Sequence, residues 1–378
     1  MTLFKRKIED DIRKRLFKNR AILLFGPRQA GKTTLSKKIL TDFGDRGEYY
    51  NCELTAVRQA FVPGEPERIK ELIGDKTIVV FDEAQTIQDI GIILKAFIDT
   101  YPRVQVIATG SSSFDLANKI NEPLTGRAFE FTLFPLSLEE IRWVFPEMSL
   151  GQLHEYLRLG TYPAIVGEPD RAIREDLLRN LTTNYLYKDI YTFESIRNPR
   201  IFEDLVRLLA LQVGSLVSVN ELSQTLGVSR LTVAKYLRLL EQSYVIRIVR
   251  SFSRNPRTEI KKAFKVFFYD NGIRNAVIDR FSSVDERDDC GALFENFFVA
   301  ERLKVSALRD AHSRVLFWRN RQGEEIDVIE EAENSLKAFE CKWNEKHSHG
   351  RPPAQFAKAY PQATFQVVTP EILVRAKC

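Results

Sequence analysis

Between residues 21 and 133, short apolar runs alternate with stretches in which apolar residues recur every three to four positions. The runs at 21–25, 49–52, 77–81, 104–108 and 129–133 have strand length, and 32–40 and 90–100 have helical period. Runs without polar interruption suit strands buried on both faces, as in a parallel sheet covered by helices, so this half predicts an α/β fold. After Pro135 the texture changes. From Ser137 to about Gln212 the pattern is helical, broken at Pro146, at Gly160-Thr161-Tyr162-Pro163 and at Pro169. Residues 218–270 read as helix, turn, helix and two strands. From about Asp285 follow one long helix, three strands and a final helix–strand unit. The expected division is 1–136, 137–215, 216–275 and 280–378.

Composition bounds this picture without redirecting it. A chain of 378 residues predicts two to four domains, and 44% hydrophobic with 28% charged residues is ordinary for a folded protein. The 26 phenylalanines supply several cores. A net charge of +5 permits a nucleic-acid partner without requiring one. Cys52, Cys290, Cys341 and Cys378 form no C-x-x-C pair, and scattered thiols fit a reducing compartment. The basic start has no apolar signal segment, and no apolar run approaches bilayer length, so a cytoplasmic, membrane-free protein is expected. Lys5, Arg6, Lys7, Arg13, Lys14 and Arg15 read as the polar face of a helix with Leu3, Ile8, Ile12 and Leu16 inward, a face that would also suit phosphates.

The strongest chemistry lies at Gly26-Pro27-Arg28-Gln29-Ala30-Gly31-Lys32-Thr33-Thr34, which fits G-x-x-x-x-G-K-[ST] between a strand and a helix. Glycines there let backbone N–H groups wrap phosphate oxygens, and the helix start adds partial positive charge. Lys32 would reach the β- and γ-phosphates of ATP, and Thr33 would ligate Mg²⁺. The strand at 77–81 ends in Asp82-Glu83, placing Asp82 for the magnesium shell and Glu83 to polarise a water. Next, 104–108 ends in Thr109-Gly110-Ser111-Ser112-Ser113. A hydroxyl there would sense the γ-phosphate, or the serines would cap the following helix. Arg127, before the last strand, suits a transferring phosphoryl group in its own chain or across an oligomer interface, and equally suits a structural salt bridge.

These motifs, with Asp82-Glu83-Ala84-Gln85, Leu124-Thr125-Gly126-Arg127 and the Phe134-Pro135-Leu136-Ser137 stretch, resemble bacterial and archaeal predicted ATPases of the AAA+ superfamily. The resemblance implies a P-loop AAA+ parallel-sheet domain, a helical lid, a winged helix-turn-helix and a C-terminal restriction-endonuclease-like α/β domain. It extends over nearly the whole chain.

The segment 219–226 reads as a short helix, Gly227 as a turn and Ser229 as the cap of a second helix at 230–242. Two strands then complete a winged helix. In its DNA-binding form Arg230, Thr232 and Lys235 would enter the major groove. Arg247, Arg250, Arg254, Arg257, Lys261 and Lys262, against only Glu259, would track phosphates. A spacer that packs against other domains is the alternative.

In the last region Glu295 sits inside an apolar helical run and needs a cation, metal or hydrogen-bond partner. Asp327 and Glu340-Cys341-Lys342 lie on neighbouring strands, and alternation sets Glu340 and Lys342 on one face. Together they are the elements of a PD-(D/E)XK nuclease site, with Asp327 and Glu340 on Mg²⁺, or else a structural ion-pair cluster. His347 and His349, in a polar loop, read as solvated. The leading expectation is an ATP- and Mg²⁺-dependent protein acting on DNA, possible as a homo-oligomer. The rivals are a signalling ATPase whose second half recruits protein partners, and a DNA-binding regulator that turns ATP over slowly.

Overall fold

The computed structural model describes residues 3–110, 124–189, 196, 198–253, 264–308, 313–333, 335–344 and 350–375. The chain separates into two compact units, Lys5–Pro135 with Gln242–Tyr244, and Leu136–Glu241 with Val245–Cys378 and Met1–Phe4.

The first unit runs α1 (Ile8–Arg15), β1 (Ala21–Phe25), α2 (Lys32–Thr41), β2 (Gly47–Asn51), α3 (Thr55–Arg58) and α4 (Pro66–Ile73). It continues through β3 (Ile78–Asp82), α5 (Ile90–Thr100), β4 (Gln105–Gly110) and β5 (Ala128–Thr132). The five strands are parallel in the order β2-β3-β4-β1-β5. β1 and β3 are buried throughout, the two-sided burial that their unbroken apolar runs require. Leu23, Phe25, Val79 and Phe81 pack with Ile69 of α4 and Leu94 and Phe97 of α5. Alternation turns Ile22, Leu24, Ile78 and Val80 to the other face, where Leu35 and Ile39 of α2 are buried. Each such side chain contributes about 1.5–3 kcal/mol relative to exposure. β1 lies between β4 and β5 while its successor stands at the far edge. The carboxyl end of β1 is therefore a switch point, where open α/β sheets bind ligands.

The N-terminal segment departs from the expected helix face. Ile8 and Ile12 are buried as expected, but α1 begins at Ile8, and Leu3, ahead of it, is 58% exposed. Arg6 is buried rather than solvated, and its guanidinium donates to the Ala30 and Phe134 carbonyls at 2.6 Å each. A carbonyl at each arm satisfies a cation that the charge run alone assigns to water.

In the second unit, α6 (Leu138–Arg142), α7 (Leu150–Leu159), α8 (Pro163–Val166), α9 (Arg171–Leu181) and α10 (Pro199–Leu211) come first. Ser137 with Glu140 and Ser149 with Gln152 close capping boxes on α6 and α7, and Asp170 caps α9. Such caps are worth about 1 kcal/mol each. Then follow β6 (Leu216–Val217), α11 (Val219–Thr225), α12 (Arg230–Gln242), β7 (Ile246–Arg250), β8 (Phe264–Phe268) and α13 (Asn271–Val277). Their strands form an antiparallel sheet in the order β6-β8-β7. Last come α14 (Cys290–Leu308), β9 (Arg314–Arg319), β10 (Glu325–Ala332), β11 (Ser335–Cys341), α15 (Ala354–Ala359), β12 (Thr364–Val368) and α16 (Pro370–Arg375). These strands order as β12-β11-β10-β9, antiparallel except for the parallel β11–β12 pair.

Buried polar contacts tie the three regions of this unit together. The Thr161 N–H donates to Asp270 at 2.7 Å, and Lys304 Nζ donates to the Leu136 carbonyl at 2.9 Å and to Thr161 Oγ1 at 3.0 Å. Asn271 and Asn275 both donate to the Leu157 carbonyl, and Asn296 Nδ2 donates to Asn271. Among the described residues no helix is long and apolar enough to cross a membrane.

Candidate functional site

The loop between β1 and α2 is shaped by backbone angles that the motif anticipates. Gly26 has φ 144° and Gly31 φ 101°, while Gln29 takes a left-handed φ of 59°. A Cβ on Gly26 would lie 2.1 Å from the Leu133 carbonyl oxygen, so only glycine fits beside β5. Pro27 and Ala30 are buried, Arg28 is half-buried, and Gln29 and Thr34 are exposed. α2 carries no acid in its first turn, which leaves its positive end for an anion.

Lys32 is buried, and its Nζ donates to the Gly26 and Pro27 carbonyls at 2.7 and 2.9 Å. Burial pushes its ammonium down to about 8, against the opposing pull of Glu83 and Asp82. The lysine is thus held inside its own loop by weak neutral acceptors, ready for a stronger anionic one.

Asp82, at the end of β3, gathers hydroxyls from three elements. Thr33 Oγ1 donates to its Oδ2 at 2.8 Å, Tyr49 OH to the same oxygen at 2.6 Å, and Thr109 Oγ1 to Oδ1. Thr109 also accepts from the Glu83 N–H at 3.2 Å. Its hydroxyl, fully buried, is therefore spent on positioning the two acids. Glu83 has a left-handed φ of 53°, uncommon for a side-chain-bearing residue, and its carboxylate accepts from Gln85 Nε2. Burial and then Asp82 raise the Tyr49 phenol, and burial pushes the nearby Cys52 thiol up to about 12, so both stay neutral. These residues fit a magnesium nucleotide. The glycine cradle would be filled by any Cβ, the buried ammonium is aimed at the loop, and Thr33 and Asp82 pair two oxygens suited to a hard cation.

Arg127 is elsewhere. The residue pairing of β1 with β5 sets Ala128 beside Ala21, at the amino end of both strands, whereas the phosphate loop leaves the carboxyl end at Phe25. Five residues of strand, roughly 16 Å, intervene. Arg127 Nε donates to Asp99 at 2.8 Å, the salt-bridge alternative, and does not face the phosphate loop of its own chain. Ser111, Ser112 and Ser113 lie outside the described residues.

In the second unit Ser229 caps α12 by accepting from the Thr232 N–H at 3.1 Å, and its hydroxyl also meets Thr232 Oγ1 at 3.0 Å. Thr232 is thereby engaged in the cap. Arg230, Lys235 and Arg238 share the exposed face of α12, Arg238 being a residue the motif reading passed over. Leu231, in the same turn as Arg230, is 83% exposed. Arg247 and Arg250 lie on β7, with Arg247 3.5 Å from Glu241. Arg254, Arg257, Lys261, Lys262, His347 and His349 lie outside the described residues.

The four C-terminal candidates do converge. Lys342 is paired with Glu340 at 2.7 Å, and Asp327 Oδ2 accepts from the Cys341 N–H at 2.7 Å. A bulge in β10 between Ile326 and Ile329 carries Asp327, a device that re-aims a side chain. Burial, then Glu340, pushes Asp327 up to about 6, and burial, then Asp327, pushes Glu295 upward against the opposing charge and hydrogen bond of Lys265. A cavity of about 300 Å³ opens beside Glu325, Glu340, Lys342 and Arg351.

Residues 18–142 match the family described as an AAA domain. Residues 18–142 thus form an AAA-type P-loop domain. Residues 150–284 and 290–376 match two families described as domains of unknown function, DUF8612 and DUF4143. The chain is similar to an uncharacterized protein of Mycobacterium tuberculosis, 26% identical over 349 residues that cover 90% of this chain and 74% of the relative. An uncharacterized protein of Methanocaldococcus jannaschii is 23% identical over 347 residues, covering 86% and 76%. The Aeropyrum pernix ORC1 protein in complex with DNA matches 74% of this chain and 93% of its own at 15% identity, with a TM-score of 0.34.

Two residues of the AAA-type site had no sequence signal of their own, Tyr49 on β2 and Arg6 ahead of α1. The loop itself carries an expectation. Gly26→Ala forces a φ that only glycine adopts freely, at about 1–3 kcal/mol, and drives a methyl into the Leu133 carbonyl. The variant is expected to lose nucleotide affinity measured by fluorescent-ATP titration. Wild-type affinity would show that the loop needs no glycine there.

Proposed function

We propose that the chain is a magnesium-dependent ATPase that acts on DNA. The observation that carries the enzymatic half is the 2.8 Å contact of Thr33 with Asp82 beside a buried Lys32, with Glu83 next in line. Thr33 and Asp82 would hold Mg²⁺, which would neutralise charge on the phosphates. Lys32 would exchange two backbone carbonyls for β- and γ-phosphate oxygens. Glu83, steadied by Gln85 and by Thr109, would orient the attacking water and take up its proton. Arg127 would reach a phosphate only by serving a neighbouring copy in a homo-oligomer.

The DNA half is supported by α12. A helix–turn–helix followed by antiparallel strands has the order of a winged helix, whose second helix enters the major groove by its N-terminal side chains. Arg230, Lys235 and Arg238 give that helix a basic exposed face, with Arg250 on the adjoining strand. Thr232, spent on its cap, would contribute less than these cations. The C-terminal sheet, with α14 against it and Glu295, Asp327, Glu340 and Lys342 drawn together, supports the reading of a restriction-endonuclease-like domain, which would hold a second stretch of DNA.

The deciding experiment is the ATPase rate with duplex, single-stranded and branched DNA, with Lys32→Ala as the blank. Stimulation by DNA is expected. The Arg230→Ala/Arg238→Ala variant should bind DNA more weakly, with a salt slope reduced by about one for each lost phosphate contact. Turnover indifferent to DNA, and DNA affinity unchanged in that variant, would leave the signalling reading in its place.

A further inference from the structure

Lys265 sits on β8, in a strand otherwise made of Phe264, Val266, Phe267 and Phe268. Its side chain is 3% exposed, and its Nζ donates to Glu295 Oε1 of α14 at 2.9 Å. The same ammonium bridges to Glu325 Oε1 of β10, and the Phe317 ring lies 5.5 Å away. The two carboxylates hold Lys265 charged, above its ordinary range, although burial opposes this.

The surrounding acids are partnered as well. Glu325 takes Arg319 at 2.9 Å, Asp327 takes the Cys341 N–H, and Glu340 takes Lys342. Gly214 stands so close that a Cβ there would be 3.1 Å from Glu295 Oε2. Among the described residues no three His, Cys, Asp or Glu side chains gather as a metal ion needs. A magnesium ion binds oxygens at about 2.0–2.1 Å in a near-octahedral shell. Set on Glu295 at that distance, it would press against the ammonium already seated there. The acids of this centre therefore do not fit a divalent cation while Lys265 is in place.

We propose that Lys265 is the built-in cation of the C-terminal acidic centre, occupying the position between Glu295 and the β10 carboxylates that a divalent metal would otherwise take. The region then binds its partner without metal and does not hydrolyse it. That the partner is DNA rests on the function proposed above; the cation substitution does not. One lysine also joins three elements, since β8 belongs to the helix–turn–helix region while α14 and β10 belong to the C-terminal layer. Its charge both neutralises the acids and fixes the strand against them.

The test counts Mn²⁺ bound to the nucleotide-free full-length chain by electron paramagnetic resonance, for the wild type, Asp327→Asn, Lys265→Met and Lys265→Met/Asp327→Asn. The wild type and Asp327→Asn are expected to bind equally little. Lys265→Met should gain one ion, at least tenfold tighter, and lose it again in the double variant. Wild-type Mn²⁺ binding removed by Asp327→Asn would overturn the proposal, as would a folded Lys265→Met that gains no ion. The wild-type comparison stands even if Lys265→Met does not fold, and Lys265→Arg, which keeps the charge, should fold and bind no ion. Incubation of the wild type with Mn²⁺ and single- or double-stranded DNA should give no cleavage that Asp327→Ala abolishes; such cleavage would also overturn it. DNA affinity in chelator is read separately, so failure to bind DNA would count against the DNA reading and leave the metal result intact.

Discussion

Lys32→Ala is expected to weaken MgATP binding by about two orders of magnitude or more, whereas Glu83→Gln should bind near wild-type affinity and lose turnover. A hydrogen bond to a charged group contributes about 1.5–3 kcal/mol, and each ~1.4 kcal/mol is a factor of ten. Lys32 already directs Nζ at two loop carbonyls, so two such bonds to phosphate oxygens need no rearrangement of the backbone. Glu83 stands one residue beyond Asp82 and outside the Thr33 contact, so in the proposed reaction its carboxylate would matter to the water rather than to the resting nucleotide. Loss of a positioned base lowers rates by about 10²–10⁴. Nucleotide titration and steady-state phosphate release separate the two effects. Equal affinity in Lys32→Ala and wild type would sink the assignment, and so would full turnover in Glu83→Gln.

The same lysine makes a second, quieter expectation. Its folded-state value is depressed by burial, so the charged form is penalised in the nucleotide-free protein. Lys32→Met should therefore leave the nucleotide-free fold as resistant to urea as the wild type, or slightly more so.

The candidate nucleotide site was legible because its signals are local. A glycine-framed loop and an acid pair each sit within a few residues of an apolar run, and the sheet then brings the two together. Arg127 illustrates a step the sequence permitted and the motif obscured. A residue just before a parallel strand lies at the amino end of the sheet, opposite a loop that follows one, so its distance from the phosphate loop was implied by strand direction, while its partner Asp99 was set by packing. Tyr49 could not be found in that way. It meets Asp82 only because β2 pairs with β3 in a register set by tertiary packing. Arg6 was masked by its neighbours: of the five other cations in the first fifteen residues, Lys5 and Lys14 are exposed and Lys7, Arg13 and Arg15 are half-buried. Lys265 had a readable cue, a single cation inside an apolar strand, but its partners come from 30 and 60 positions further along. Glu295 demanded a partner on physical grounds; which one it would be was a matter of topology.

Asp289→Ala is expected to cost the second unit about 3–5 kcal/mol, the usual penalty for stripping one partner from a buried ion cluster. Its Oδ2 accepts from Arg274 at 2.7 Å and from Arg287 at 2.8 Å, and Oδ1 accepts from Arg287 at 2.7 Å. The two guanidiniums are 2% and 0% exposed, so removal of the carboxylate leaves two positive charges with almost no water. Arg274 also donates to the Ala210 carbonyl and to Asn275, which holds its position and prevents escape to solvent. Burial alone would raise the Asp289 carboxyl, but the hydrogen bonds and charges of Arg287 and Arg274 carry it well below the carboxylate range. A depressed folded-state value means that this stability is fully present above the unfolded carboxyl value of about 3.9 and is lost as pH falls through the folded one. The gap between wild type and Asp289→Ala should thus be widest at neutral pH and narrow below about pH 4. Asp289→Asn, which keeps an acceptor and loses the charge, should fall between them. Hydrogen exchange of α13 and α14 amides across urea reads the affected region directly, and a variant as protected as the wild type at pH 7 would show that the two arginines find other partners.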